Sequence, residues 1–147
     1  MTAILTGKQV ATALDKDFTA AVTETGADYI VVAPESFRDV AQYIKDDAEL
    51  ELEFLVGETA VDYYDYFEVV CHLLSIKKKH SFTLKTRVYD RENPSLPSLY
   101  PVWQGADFQE REIYDLMGIS FEGHPDLRRI FLWEGFPGYP LRKDFKG

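Results

Sequence analysis

Hydrophobic positions along this chain change period several times, and each change marks an element. Over TGKQVATAL (6–14), Val10, Ala13 and Leu14 recur at helical spacing, with Thr6 in place as an N-cap. FTAAVTET (18–25) and ADYIVVA (27–33) are rich in β-branched and aromatic residues and flank Gly26, which predicts a hairpin. PESFRDVAQYIKDD (34–47) opens with Pro and an acidic turn. Phe37, Val40, Ala41 and Ile44 then form one apolar stripe, so this segment is an amphipathic helix. ELEFLVGETAVDYYD (51–65) alternates in part around Gly57 and predicts a strand with a bulge. YFEVVCHLLSI (66–76) is almost continuously apolar, as expected of a central strand buried on both faces. KKKH (77–80) is a polar turn. SFTLKTRVY (81–89) alternates strictly, with Phe82, Leu84 and Val88 on one side and Thr83, Lys85 and Arg87 on the other.

DRENPSLPSLYP (90–101) has the composition of a stiff Pro/Ser loop that denies ladder donors. Beyond it, Asp107 with Glu110 three residues on has the form of a capping box, and Gly118 supplies a stop. A short helix over about 108–117 is therefore predicted. Ile113, Leu116 and Met117 gather on one side, and Glu110, Arg111, Tyr114 and Asp115 on the other, with Arg111 and Asp115 placed as an i,i+4 pair. Past Gly118 no period persists, and prolines at 125, 137 and 140 oppose regular structure. Phe131, Leu132, Trp133, Phe136, Tyr139, Leu141 and Phe145 nonetheless crowd this tail. A small domain has little room to hide them, so an extended arm lying on another protein is expected, with 121–147 ordered mainly by that partner.

The order helix, two strands, helix, three strands implies a two-layer α+β domain, with two helices on one face of a five-stranded mixed sheet. The helix between the second and third strands permits those two to run parallel. Residues 1–100 make up this sheet domain. Residues 101–147 add the short helix and the docking tail to the same unit.

Composition supports a packed interior: 46% of the 147 residues are hydrophobic and 14% aromatic. No apolar run approaches the roughly 20 residues of a bilayer-spanning helix. The N-terminus lacks a basic start before a long apolar block, so no secretory signal is expected. The net charge of −9 is unevenly spread: residues 1–70 carry 15 acidic against 4 basic side chains, and residues 71–147 carry 10 against 12. The acidic half opposes general nucleic-acid binding. It serves either as a solvated surface or as a dock for a basic partner.

Little in the chain points to chemistry of its own. The single Cys71 forms no disulfide, and its position on a strand sends it to the opposite face from His72, against a Cys–His dyad. His124 stands between Glu122 and Asp126, but no second His is near enough in sequence for metal-ligand spacing. His-Pro there closes a turn, and Asp126 caps the residues after it. Gly135 and Gly138 stand among aromatics and prolines with no helix after them, so no phosphate cradle is present. Glu110, Glu112 and Asp115 are expected to be solvated side chains of a helix surface. An enzyme or ligand-binding domain with an acid–base site around Glu110, Glu112 and His124 is the alternative. Arg128, Arg129, Arg142 and Lys143 lie beside Trp133 and Tyr139, a combination enriched in interface cores.

EREIYDLMGISFEGHPDLRRI (110–130) resembles the signature of the 30-kilodalton (C-type) subunit of NADH:quinone oxidoreductase, respiratory complex I. DYFEVVCHLLS (65–75), SLPSLYPVWQGADF (95–108) and YPLRKDF (139–145) resemble further blocks of that family in the same order. Phe108 stands where the family often has Trp, Cys71 where it often has Tyr, and LWEGFPGYPLRKDF is longer than the common form. The resemblance implies a cofactor-free component of the hydrophilic arm, with iron–sulfur clusters and quinone held by partner subunits. It implies docking on a 49-kilodalton-like (D-type) partner and on iron–sulfur subunits of the quinone module. The complex would couple electron transfer from NADH, ferredoxin or another donor to proton translocation. The chain would then lie peripherally on the cytoplasmic side of an energy-transducing membrane. The interface implied runs over Glu110, Arg111, Tyr114, Asp115, His124, Pro125, Asp126, Arg128, Arg129, Trp133, Pro140, Leu141, Arg142, Lys143 and Asp144.

Overall fold

The computed structural model describes residues 2–18 and 20–146. Met1, Thr19 of the predicted hairpin and Gly147 of the tail lie outside the described residues. Helix α1 spans Gly7–Phe18 and is longer than the spacing alone predicts. Its N-terminus is a reciprocal cap: Gln9 N–H donates to Thr6 Oγ1 at 3.1 Å, and Thr6 N–H to Gln9 Oε1 at 2.8 Å. Strands β2 (Val22–Thr25) and β3 (Tyr29–Val32) form the predicted antiparallel hairpin. A 3-10 turn at Pro34–Ser36 leads into α2 (Phe37–Asp46), whose buried residues are the four of the predicted stripe.

Strands β4 (Phe54–Asp62), β5 (Phe67–Ser75) and β6 (His80–Val88) follow as a meander. The register of β4 slips between Leu55 and Gly57, at the predicted bulge. Along the main path the order is β2-β3-β6-β5-β4. The short β1 (Ala3–Ile4), which the sequence pattern does not reveal, pairs in parallel with β6 and makes the sheet six-stranded. The sheet is mixed because β3 and β6 lie parallel; β3 and β4 are not neighbours. The central strand is β6. The more apolar β5 is one in from the edge, with His72 exposed and Val70 and Leu74 half-buried.

One cluster of buried side chains joins Val10 and Leu14 of α1, the stripe of α2, and Ile30, Leu84, Cys71 and Val69 of the sheet. On the opposite face a ladder of charge replaces a second layer. Glu68 is buried between Lys85, 3.6 Å away, and Arg87, 2.9 Å away. Arg87 reaches Glu24 at 3.2 Å, and Glu24 accepts from Tyr29 Oη at 2.8 Å.

The Pro/Ser segment is not wholly loop. Ser95–Pro97 forms β7, which pairs in parallel with β8 (Ser120–Glu122) in a second sheet of two strands. Pro97 at the end of so short a strand costs little of the ladder. Arg38 of α2 locks this pair to the main domain: its Nε donates to Ser98 O at 2.7 Å and its Nη2 to Glu122 O at 2.5 Å. Between β7 and β8 runs helix α3, Ala106–Met117.

Candidate functional site

Helix α3 departs from its sequence-based description at both polar positions that matter most. Its N-cap is Gly105, without a side-chain cap bond, so Asp107 and Glu110 do not form a capping box. Asp107 instead lies inside the first turn, with Oδ1 3.0 Å from His124 Nε2; that nitrogen also lies 3.1 Å from the Asp107 carbonyl oxygen. The predicted Gly118 stop is present, at φ +77. A Cβ there would sit 2.6 Å from the Tyr139 ring, so glycine serves both the left-handed turn and the close approach of the tail.

Glu110 and Asp115 are fully buried rather than solvated. Glu110 accepts from the Ser98 hydroxyl at 2.5 Å and from Leu99 N–H at 2.8 Å. Burial raises its carboxyl above the ordinary range, opposed by those two donors. Asp115 accepts at Oδ2 from three successive backbone N–H groups, Ile130 at 3.1 Å, Phe131 at 2.7 Å and Leu132 at 3.1 Å. Its Oδ1 lies 3.4 Å from Arg129 Nη1. The expected Arg111–Asp115 pair is absent among the described contacts, because Asp115 turns inward and Arg111 Nε donates to Arg128 O at 3.3 Å. Glu112 alone of the three carboxylates is exposed. Buried Glu110, exposed Glu112 and His124, bonded to Asp107, therefore do not converge as an acid–base set.

The tail from Gly123 onward follows turns rather than an extended arm, and its backbone is seated on its own domain. Arg129 Nη2 donates to Gly138 O at 3.1 Å, and Arg142 Nε donates to Met117 O at 2.6 Å. Arg142 also lies over the Tyr139 and Phe67 rings, each 5.0 Å away. Lys143 N–H donates to Asp62 Oδ2 at 2.9 Å, beside the two-pronged bond from Arg91 to the same carboxylate. Arg91 above all, with the Lys143 and Tyr64 N–H groups, holds the Asp62 carboxyl well below the usual aspartate range. Arg129 and Arg142 are thus internal fasteners. Arg128 is exposed and pairs with Asp126 at 3.0 Å.

The side chains of this tail are a different matter. Phe131 is 65% exposed, Trp133 64% and Leu141 59%, and Phe108 on the neighbouring helix 64%. Pro125, Asp126, Lys143 and Asp144 are exposed too, and Tyr114 and Pro140 half-buried. Among the described residues, no group of three His, Cys, Asp or Glu is placed to hold a metal ion, and no helix is long and apolar enough to cross a membrane.

The family model for the respiratory-chain NADH dehydrogenase 30 Kd subunit matches residues 30–147. The chain belongs to this family. The second C-type subunit of the NADH-quinone oxidoreductase of Rhizobium meliloti (strain 1021) is 43% identical over 91% of this chain and 76% of its own length. The C-type subunit of the NADH-quinone oxidoreductase of Roseiflexus castenholzii is 49% identical over 77% of this chain and 66% of its own. Among solved structures, a chain of the membrane-bound sulfane sulfur reductase, described as an archaeal respiratory membrane complex, superposes with a TM-score of 0.73 at 25% identity. That match covers 95% of this chain and 82% of the other.

Within this member of the 30 Kd family, sequence reasoning missed Glu58, Asp62, Arg38, Arg91 and Ser98. Each acts on a partner 12 to 84 positions away, as in Ser98–Glu110 and Arg38–Glu122, and no local period announces such pairs.

Proposed function

We propose that the chain is a cofactor-free structural component of the peripheral arm of a complex I-type NADH/ferredoxin:quinone oxidoreductase. It supports the quinone-binding module during electron transfer coupled to proton translocation, and it has no active site of its own. Its partners are a 49-kilodalton-like (D-type) protein and the iron–sulfur subunits of that module. It is held peripherally, through the complex, on the cytoplasmic side of an energy-transducing membrane. One observation carries this reading: Phe131, Trp133 and Leu141 stand exposed on a backbone that buried Asp115 and half-buried Arg129 and Arg142 hold in place. Large apolar groups presented on a pre-organised backbone avoid much of the ordering cost of association, and aromatics so placed are the usual anchors of an interface. Family membership and the names of the relatives support the same assignment. The acid–base alternative finds no support in a geometry that buries Glu110 and leaves Glu112 in solvent.

The test is assembly. With Phe131→Ala and Trp133→Ala combined, the complex isolated through a tagged 49-kilodalton-like protein is expected to lose this chain. The stability of the isolated chain should change by no more than about 0.5 kcal/mol for each exposed site. Full retention of the doubly substituted chain, with unchanged quinone reductase activity, overturns the proposal.

A further inference from the structure

Glu58 is the one described glutamate whose two carboxyl oxygens are both buried without a hydrogen-bond donor. It lies on β4, at the register position that faces Cys71 across the β4–β5 ladder. The row continues through Leu84 and Ile30, so the sheet offers it only apolar neighbours and a neutral thiol. From the helix side it meets Glu110 of α3. Glu110 already takes the Ser98 hydroxyl on one oxygen and Leu99 N–H on the other. Gln109, the adjacent helical residue, accepts from the Glu58 backbone N–H through Oε1 and brings no donor to the Glu58 carboxyl. His124, bonded to Asp107 of the same helix, also favours the Glu110 anion.

A bare carboxylate with no donor is among the costliest groups to bury. The cost vanishes if Glu58 carries a proton and uses it, because Glu110 has lone pairs left after its two bonds. We propose that Glu58 and Glu110 form one buried proton-binding site, in which the Glu58 carboxyl donates its proton to the Glu110 carboxylate and so clips helix α3 to strand β4. The surroundings divide accordingly: the donors and His124 act on Glu110, the anion, while the sheet row brings Glu58 only neutral groups. Burial and the neighbouring Glu110 charge push the Glu58 carboxyl well above the ordinary range. A cleft of about 250 Å³ runs between β4 and α3 beside the pair, lined by Glu58, Thr59, Ala60, Glu112, Ile113, Leu116 and Leu141. Asp115, which holds residues 130–132 of the tail, sits on the same helix, so the clip positions the presented segment as well.

The full chain, labelled with carbon-13 at its glutamate carboxyl carbons, tests this by carbon NMR across a pH titration. One glutamate resonance is expected to keep its protonated shift at neutral pH, to titrate above all the others, and to be missing in Glu58→Gln. In Glu110→Gln the amide offers Glu58 a donor in place of a charge, so the Glu58 resonance should move back toward the ordinary range of about 4.3. If every glutamate of the native chain titrates together near that range, the proposal fails, and this measurement needs no variant to fold. It also fails if Glu58 titrates just as high in Glu110→Gln, since burial alone would then hold the proton. Denaturation gives an independent readout. A carboxyl raised on folding contributes stability fully present below its unfolded value and lost as the pH rises through the folded one. The native midpoint should therefore fall over that window, and Glu58→Gln should lose that part of the slope while retaining stability at neutral pH. An unchanged slope in Glu58→Gln overturns the assignment.

Discussion

Asp115 shows how much one side chain settles here. A solvated carboxylate on a helix is worth a few tenths of a kcal/mol in an i,i+4 pair. Turned inward beneath the tail, the same group satisfies three consecutive amides and faces Arg129. Asp115→Ala leaves those amides without an acceptor and Arg129 without its counter-ion. Removing one member of a buried charged set costs about 3–5 kcal/mol, and that is the expected loss in chemical denaturation. Amide exchange at 130–132 should accelerate more than exchange in β5 or β6. Asp115→Asn keeps the shape and one acceptor oxygen, and should recover part of the protection. Exchange that accelerates equally throughout the chain would show that Asp115 supports the whole domain rather than the tail.

At the level of elements, the capping signals of the chain divide into one that forms and one that does not. Thr6 and Gln9 cap α1 reciprocally, as the spacing of the two residues allows. The same spacing at Asp107 and Glu110 has no such outcome, because Ser98 and Leu99 draw Glu110 into the core and the helix starts two residues earlier, behind Gly105. A capping box competes with tertiary partners for its acidic residue, and a buried site with two donors wins. The end of α3 is set more firmly. Gly118→Ala must place a side chain in left-handed backbone and against Tyr139, a strain of roughly 1–3 kcal/mol. A lowered denaturation midpoint together with loss of protection around Tyr139 is expected. A fully neutral substitution would mean that the tail does not close over the helix end.

Across the whole molecule, Asp62 ties together pieces far apart in sequence: the end of β4, Arg91 after β6, and Lys143 in the tail. Its carboxyl is held below the usual range by Arg91, so the sign of its pH dependence is set. The stability it contributes is fully present above the unfolded aspartate value, about 3.9, and is lost as the pH falls below that through the depressed folded value. Acid denaturation followed by circular dichroism should show this limb in the native chain and a flatter one in Asp62→Asn. The neutral-pH stability of that variant should also be lower. Identical acid limbs in the two proteins would remove Asp62 from the account.

Repeating patterns of side chains determined the elements. The α2 stripe, the Gly57 bulge, the alternation of β6 and the Gly118 stop are each local, written within a few residues of backbone geometry, and each appears where the pattern puts it. The four blocks between residues 65 and 145 also carried the family, because a family is a property of sequence. The sheet order was out of reach of the pattern: β6 became central through its parallel pairings with β3 and with the two-residue β1, neither of which has a local signature. The polar residues of α3 escaped the pattern for a related reason. A period distinguishes apolar from polar faces, but it does not say that a carboxylate will be taken into the interior by partners brought up from elsewhere. Glu110 met Ser98 and Glu58, and Asp115 met the amides of 130–132, only once β4, β7 and the tail had closed around the helix. The free-energy cost of burying a charge is local, but the donors that offset it are supplied by the fold.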